Sequence, residues 1–166
     1  HYDAVCGLAA GAHNAALGAQ QPYDFAAWPA DAVILNLGTN DDGAMNNPPW
    51  TDPAAGAQYA QRPTPEHLAE LEQTAVDTLK TVRSRNPGAL LVWAFGMLGE
   101  GRMGPLLRRA VARYTAETGD SRAFYLPLPA ADSETMGARQ HPGAACHRQA
   151  AEVLTAFLRR QLPARP

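Results

Sequence analysis

Apolar residues follow two rhythms along this chain. Short continuous runs rich in Val, Leu, Ile and aromatics occupy Tyr2–Leu8, Ala32–Leu37, Ala89–Phe95 and Ala123–Leu128. Their middles do not alternate with polar residues, the pattern of strands covered on both faces. Between them the spacing becomes helical. From Pro65 to Arg85, Leu68, Leu71, Ala75, Leu79 and Val82 share one stripe at intervals of three, four, four and three. Thr64-Pro65-Glu66 starts that helix with a capping hydroxyl, a proline in the first turn and an acid near the positive helix end. Asn86-Pro87-Gly88 stops it. Two further helices are predicted over Pro105–Thr118, with Leu107, Val111 and Tyr114 inward, and over Pro142–Gln161, with Ala150, Val153, Leu154, Phe157 and Leu158 inward. Strands alternating with helices imply right-handed crossovers and a parallel sheet in a three-layer α/β fold.

A length of 166 residues sets the expectation of a single domain spanning 1–166. The net charge of −2, without any Lys/Arg block, argues against a nucleic-acid partner. No apolar stretch is long enough to span a bilayer, so no membrane partner is expected. The two cysteines, Cys6 and Cys146, make neither a disulfide framework nor a zinc site; one bridge between them is allowed but not implied, and the compartment stays open. His and carboxylate residues show no ligand-type clustering, so neither a metal nor another cofactor is expected. HYDAVCGLAAG begins almost inside a strand, with no capped entry, and reads as the remainder of something longer.

The polar residues become informative once the sheet is in place. VILNLGTNDDGAMNNPPW ends a buried strand in a cluster of amides and carboxylates. Long loops, Thr39–Pro63 and Gly96–Gly104, leave the carboxyl edge of the sheet, where open parallel sheets bind ligands. Three segments would meet there: GLAAGAHN (Gly7–Asn14), GTND (Gly38–Asp41) and ETMGARQHPGAACHRQAA, in which His141-Pro142 opens the last helix. Each alone is also an ordinary turn or cap. Together they place an amide donor, Asn40, and an imidazole, His141, to face one reacting centre. Imidazole is the usual general base near neutral pH, and a helix start disfavours its protonated form. Asn40 offers a neutral N–H to developing negative charge.

ILNLGTND and HPGAACHRQAAEVL resemble blocks III and V of the SGNH (GDSL-like) hydrolases. GTNDDGAMNNPPWTDP, VWAFGMLG and ETMGARQHPG are similar to the branch related to carbohydrate esterase family 2, whose members remove acetyl groups from sugars. The resemblance covers nearly the whole chain. It implies a flavodoxin-like α/β/α sandwich, with the first strand of the fold missing ahead of His1. It also implies a serine nucleophile, His141 as base, and an oxyanion hole from Asn40, a glycine and the serine amide. Gly11 is the best match for that glycine, with Gly7 as a competitor. No carboxylate stands just before His141, so a serine–histidine dyad is expected, with the carbonyl of Gly137 or Ala138 accepting the other ring N–H; Asp132 and Glu134 are alternatives.

The only serines are Ser84, Ser121 and Ser133, and none lies in a GDS-like context. The resemblance places the nucleophile on a segment upstream of His1, of the same protein or another chain. That segment would insert between the strands at Tyr2–Leu8 and Ala32–Leu37, where an empty slot would leave buried edges unpaired. On the rim, Trp50 either stacks on a sugar ring or packs under its own loop, and Asp41 either lines the substrate site or closes a turn. Asp42 reads as solvent-facing, Trp93 as core and Trp28 as a loop anchor. The expected function is a serine esterase that removes small acyl groups, acetyl foremost, from an acylated carbohydrate or similar small molecule. The alternatives are a non-catalytic carbohydrate-binding domain and a lipase or thioesterase for longer chains.

Overall fold

The computed structural model describes residues 11–46, 50–51, 58–59 and 63–162. In chain order its elements are α1 (Ala12–Ala16), β1 (Ala32–Leu35), α2 (Thr39–Ala44), β2 (Trp50–Thr51), β3 (Gln58–Tyr59), α3 (Pro65–Arg85), β4 (Leu90–Phe95), α4 (Met103–Thr118), β5 (Ala123–Pro127), a 3-10 turn (Ala138–Gln140) and α5 (Ala144–Gln161). β1, β4 and β5 form a parallel sheet in that order, with Leu35, Trp93 and Tyr125 on one cross-strand row. β2 and β3 make a separate antiparallel pair. The strand expected at Tyr2–Leu8 lies outside the described residues.

All six residues of β4 are buried. Leu91, Trp93 and Phe95 belong to a core that includes Val76, Leu79 and Val82 of α3 and Leu107 and Tyr114 of α4. Leu90, Val92 and Ala94 face the opposite way, onto a second core with Ala150 and Phe157 of α5. A continuously apolar strand requires this arrangement, because its side chains alternate in direction and both faces must be covered. Each fully buried large aliphatic side chain here contributes about 2 kcal/mol. β1 is different. Among the described residues no strand pairs with its outer edge, and Ile34 is 37% exposed although its character matches that of β4.

The helix boundaries show where local signals suffice. Thr64 Oγ1 accepts from the His67 amide at 3.3 Å and Pro65 opens α3, as its sequence requires. α4 instead begins two residues before Pro105, because its first amides are capped by a residue from another element, described below. α5 begins at Ala144 rather than Pro142. The Gly143 amide is held by the Thr135 carbonyl at 2.8 Å, and Pro142 bridges Met136, so the chain stays extended through the proline. Cys146, at the start of α5, is a buried free thiol with Sγ 3.7 Å from the Pro129 carbonyl.

At the amino edge of the sheet, Asp120 joins the ends of α3 and α4. Its Oδ2 accepts from Arg83 Nε and Tyr114 Oη, each at 2.8 Å. Arg83 Nη1 also donates to the carbonyls of Asn86 and Ala89, at 2.9 and 2.7 Å. Burial alone would raise the Asp120 carboxyl, but the Arg122 amide, the Tyr114 hydroxyl and the Arg83 guanidinium outweigh it and hold the group below the usual carboxylate range. Asp120→Ala leaves a mostly buried guanidinium and phenol without their acceptor, and is expected to cost about 3 kcal/mol at pH 7. A carboxyl lowered in the folded state stabilises fully above its unfolded value of about 3.9, and the gain disappears as pH falls through the folded value. Urea unfolding of both proteins at pH 7 and at acid pH checks this: the gap between them narrows on acidification.

Candidate active site

The parallel arrangement brings the exits of β1 and β5 to one edge, on either side of β4. Their strands lie two spacings apart, about 10 Å. Asn40 follows β1 directly. Gly38 makes the switch from strand to helix at φ 114°, and a Cβ there would press on Leu107, Phe95 and Met103 at 3.2–3.4 Å. Only glycine meets both the left-handed backbone and the close approach. The Leu37 carbonyl just before it accepts from Trp93 Nε1 at 3.0 Å, so the core tryptophan fixes the end of the neighbouring strand. α2 then carries Asn40 on its exposed side.

Asp42 is not free in solvent, contrary to the expectation from sequence. It is half-buried, and its Oδ1 accepts from the backbone amides of Arg102 and Met103 at 2.7 and 3.3 Å. Arg102 returns a bond from its Nη1 to Asn46 Oδ1 at 3.1 Å. Gly101, at φ 47°, lies so close that a Cβ would collide with the Asp42 carboxylate. The loop after β4 and the turn bearing Asn40 are thus locked together. Behind them Glu100 accepts from Tyr125 Oη and from Arg108 Nη2, each at 2.9 Å. Burial first, and then the Glu100 carboxylate, push the Tyr125 hydroxyl up to about 12, so it stays a donor.

The loop after β5 carries His141. It is tied to the loop after β4 by the Ala131 amide, which donates to the Met97 carbonyl at 2.9 Å. It is closed by Gly137 N–H donating to the His141 carbonyl at 2.7 Å. Asp132 Oδ1 accepts from the hydroxyl and the amide of Thr135, at 2.7 and 2.9 Å, and from the Glu134 amide at 3.0 Å. These bonds, led by the Thr135 hydroxyl, hold the Asp132 carboxyl below its usual range. Asp132 Oδ1 therefore shapes the loop through the buried Thr135.

His141 Nδ1 lies 2.9 Å from the Arg139 carbonyl. A carbonyl only accepts, so Nδ1 carries the proton and the neutral ring keeps its lone pair on Nε2. The orienting carbonyl belongs to Arg139, not to Gly137 or Ala138. Its direction comes from two successive left-handed residues, Arg139 at φ 54° and Gln140 at φ 59°, which curl the chain back toward the ring. Side-chain-bearing residues seldom take this conformation, at a cost of about 1–2 kcal/mol each, and such strain concentrates at functional sites. His141 itself sits two residues ahead of the α5 cap Gly143, outside the helix end.

Gly11 caps the five-residue α1 at φ 97° and is exposed, with the backbone hydrogen bonds of 11–21 running within that segment. Gly7 lies outside the described residues. Asp41 is exposed on α2. Trp50 pairs with Tyr59 across β2 and β3, and its side chain lies outside the described residues. Ser84, near the end of α3, donates to the Thr81 carbonyl at 2.8 Å. Ser84 and Ser121 stand at the amino edge, away from His141; Ser133 lies in the loop after β5. A cavity of about 500 Å³ lined by Tyr23, Phe25, Ser84 and Arg85 also lies at the amino edge. Among the described residues no three metal-ligating side chains cluster, and no helix is long and apolar enough to cross a membrane.

No family model and no curated protein matches the chain. Solved structures do. An acetyl xylan esterase from the rumen bacterium Butyrivibrio proteoclasticus is 36% identical with a TM-score of 0.91, over 96% of this chain and 44% of that one. A family two carbohydrate esterase from Clostridium thermocellum, solved with cellohexaose, is 24% identical with a TM-score of 0.63, over 84% of this chain and 38% of that one. A family 2 enzyme with a carbohydrate-binding domain from Corynascus thermopiles (Myceliophthora fergusii) is 24% identical with a TM-score of 0.62, over 86% and 41%. The chain spans less than half the length of each of these structures. The chain thus has the SGNH-hydrolase fold, in the form carried by the family 2 carbohydrate esterases.

Proposed function

We propose that residues 1–166 form one SGNH-like domain of a serine esterase that removes small acyl groups, acetyl foremost, from a carbohydrate. The observation that carries this is the pairing of His141 Nδ1 with the Arg139 carbonyl at 2.9 Å, which leaves Nε2 as a base on the same sheet edge as Asn40. A serine supplied by an upstream segment, lying along the edge of β1 that no described strand pairs with, attacks the ester carbonyl carbon. Its hydroxyl proton passes to Nε2, and the carbonyl π pair moves onto oxygen. Asn40, Gly11 and the serine amide donate to that oxyanion. Collapse expels the sugar oxygen, which takes the proton from the imidazolium and leaves an acyl-serine. Water attacks next, gives a proton to Nε2, and releases the carboxylic acid as serine is restored. Trp50 and Asp41 form the substrate rim.

That no strand among the described residues pairs with the outer edge of β1 supports the placement of the upstream strand. The name of the Butyrivibrio neighbour directs the first substrate to try, an acetylated xylo-oligosaccharide. The test uses the complete protein with acetyl and octanoyl esters and a fluorophosphonate label. Acetate release well ahead of octanoate release, with one labelled serine upstream of His1, is the expected result. Absence of both label and turnover, with retained binding to the sugar, would make this a non-catalytic binding domain.

A further inference from the structure

We propose that Asp42 is a positioning residue that holds the Asn40 amide in its donating geometry by clamping the α2 turn to the start of α4. The inference rests on the proposed esterase reading, since it concerns how the oxyanion donor is fixed. Residues two apart on a helical turn point in nearly opposite directions. Asn40 is accordingly exposed while Asp42, on the far side of the turn, is half-buried. α2 is only six residues long and makes no side-chain cap of its own at Gly38. So short a helix does not hold its shape unaided.

What holds it is outside it. Asp42 Oδ1 accepts from Arg102 N at 2.7 Å and Met103 N at 3.3 Å, the amides of the N-cap residue and of the first residue of α4. α4 has no side-chain cap from its own N-cap residue, Arg102, so Asp42 supplies one from sixty positions away. The guanidinium of Arg102 adds a second strap to Asn46 Oδ1 at 3.1 Å, one turn beyond Asp42. Gly101 leaves the room that lets the carboxylate reach those amides. α4 is in turn anchored by Leu106, Leu107 and Tyr114 in the core, so the clamp ties the short α2 to the packed body of the domain. A catalytic donor displaced by about 1 Å can lose some hundredfold in rate, which is why such a support matters to chemistry and not only to folding.

The test is a kinetic double-mutant cycle in the complete protein, below its melting temperature. Asp42→Ala is expected to lower kcat about thirtyfold with KM nearly unchanged. Asp42→Asn, which keeps an acceptor oxygen for both amides, recovers most of that loss. In an Asn40→Ala background, Asp42→Ala should have little further effect on kcat, because the group it positions is gone. A wild-type protein with no esterase activity overturns both this inference and the proposed function. An active wild type in which the two losses simply multiply, or in which Asp42→Ala lowers the Tm but keeps kcat, overturns this inference alone.

Discussion

His141→Ala is expected to lower kcat by about four orders of magnitude or more, while the domain folds as before. The imidazole is exposed, and among the described residues its hydrogen bond runs to a carbonyl two residues away, so little packing is lost with it. The chemistry loses far more. In the proposed reaction, loss of Nε2 would leave the serine to attack as a neutral alcohol and the sugar to depart as an alkoxide. Steady-state hydrolysis of an acetyl ester, with circular dichroism as a control for folding, checks both halves. Normal turnover in this variant rules out the base assignment. Asp132→Asn separates the dyad from a carboxylate-supported triad. Asp132 Oδ1 is engaged by Thr135 and Glu134, so the effect should be smaller by orders of magnitude. A loss as large as that of His141→Ala would make Asp132 the group that orients the ring.

Asn40→Ala is the second large effect, about a hundredfold in kcat, or about 3 kcal/mol of barrier, with KM little changed. The asymmetry follows from when the bond matters. A carbonyl oxygen in the bound ester carries only partial charge, whereas the tetrahedral oxyanion carries nearly a full one, and the amide N–H stabilises the difference. A rise in KM at constant kcat would instead make Asn40 a substrate-binding residue.

Much of the architecture was legible because its causes are local. The run Ala89–Phe95 is apolar throughout and became the fully buried central strand; Thr64-Pro65-Glu66 started α3 where its capping chemistry requires. The start of α4, at Met103 rather than Pro105, is less legible because its cap, Asp42, belongs to another element, and no short-range pattern announces such a partner. The start of α5, at Ala144 rather than Pro142, is hidden for a related reason: Pro142 is extended because the Thr135 carbonyl, eight residues before Gly143, holds it. For the candidate site the sequence offers side chains to nominate, and not the backbone that orients them. Asn40 and His141 could be named from strand ends and a resemblance. The Arg139 carbonyl could not, because nothing about arginine or glutamine favours a left-handed conformation.

That carbonyl has a consequence for how this site would look to a mutational survey. Every amino acid brings the same C=O, so exchanging the arginine at 139 for alanine deletes a guanidinium and leaves the ring's partner in place. A scan that reads importance from side-chain deletion would pass over the group that selects the imidazole tautomer. It would surface only through substitutions that forbid the local chain shape.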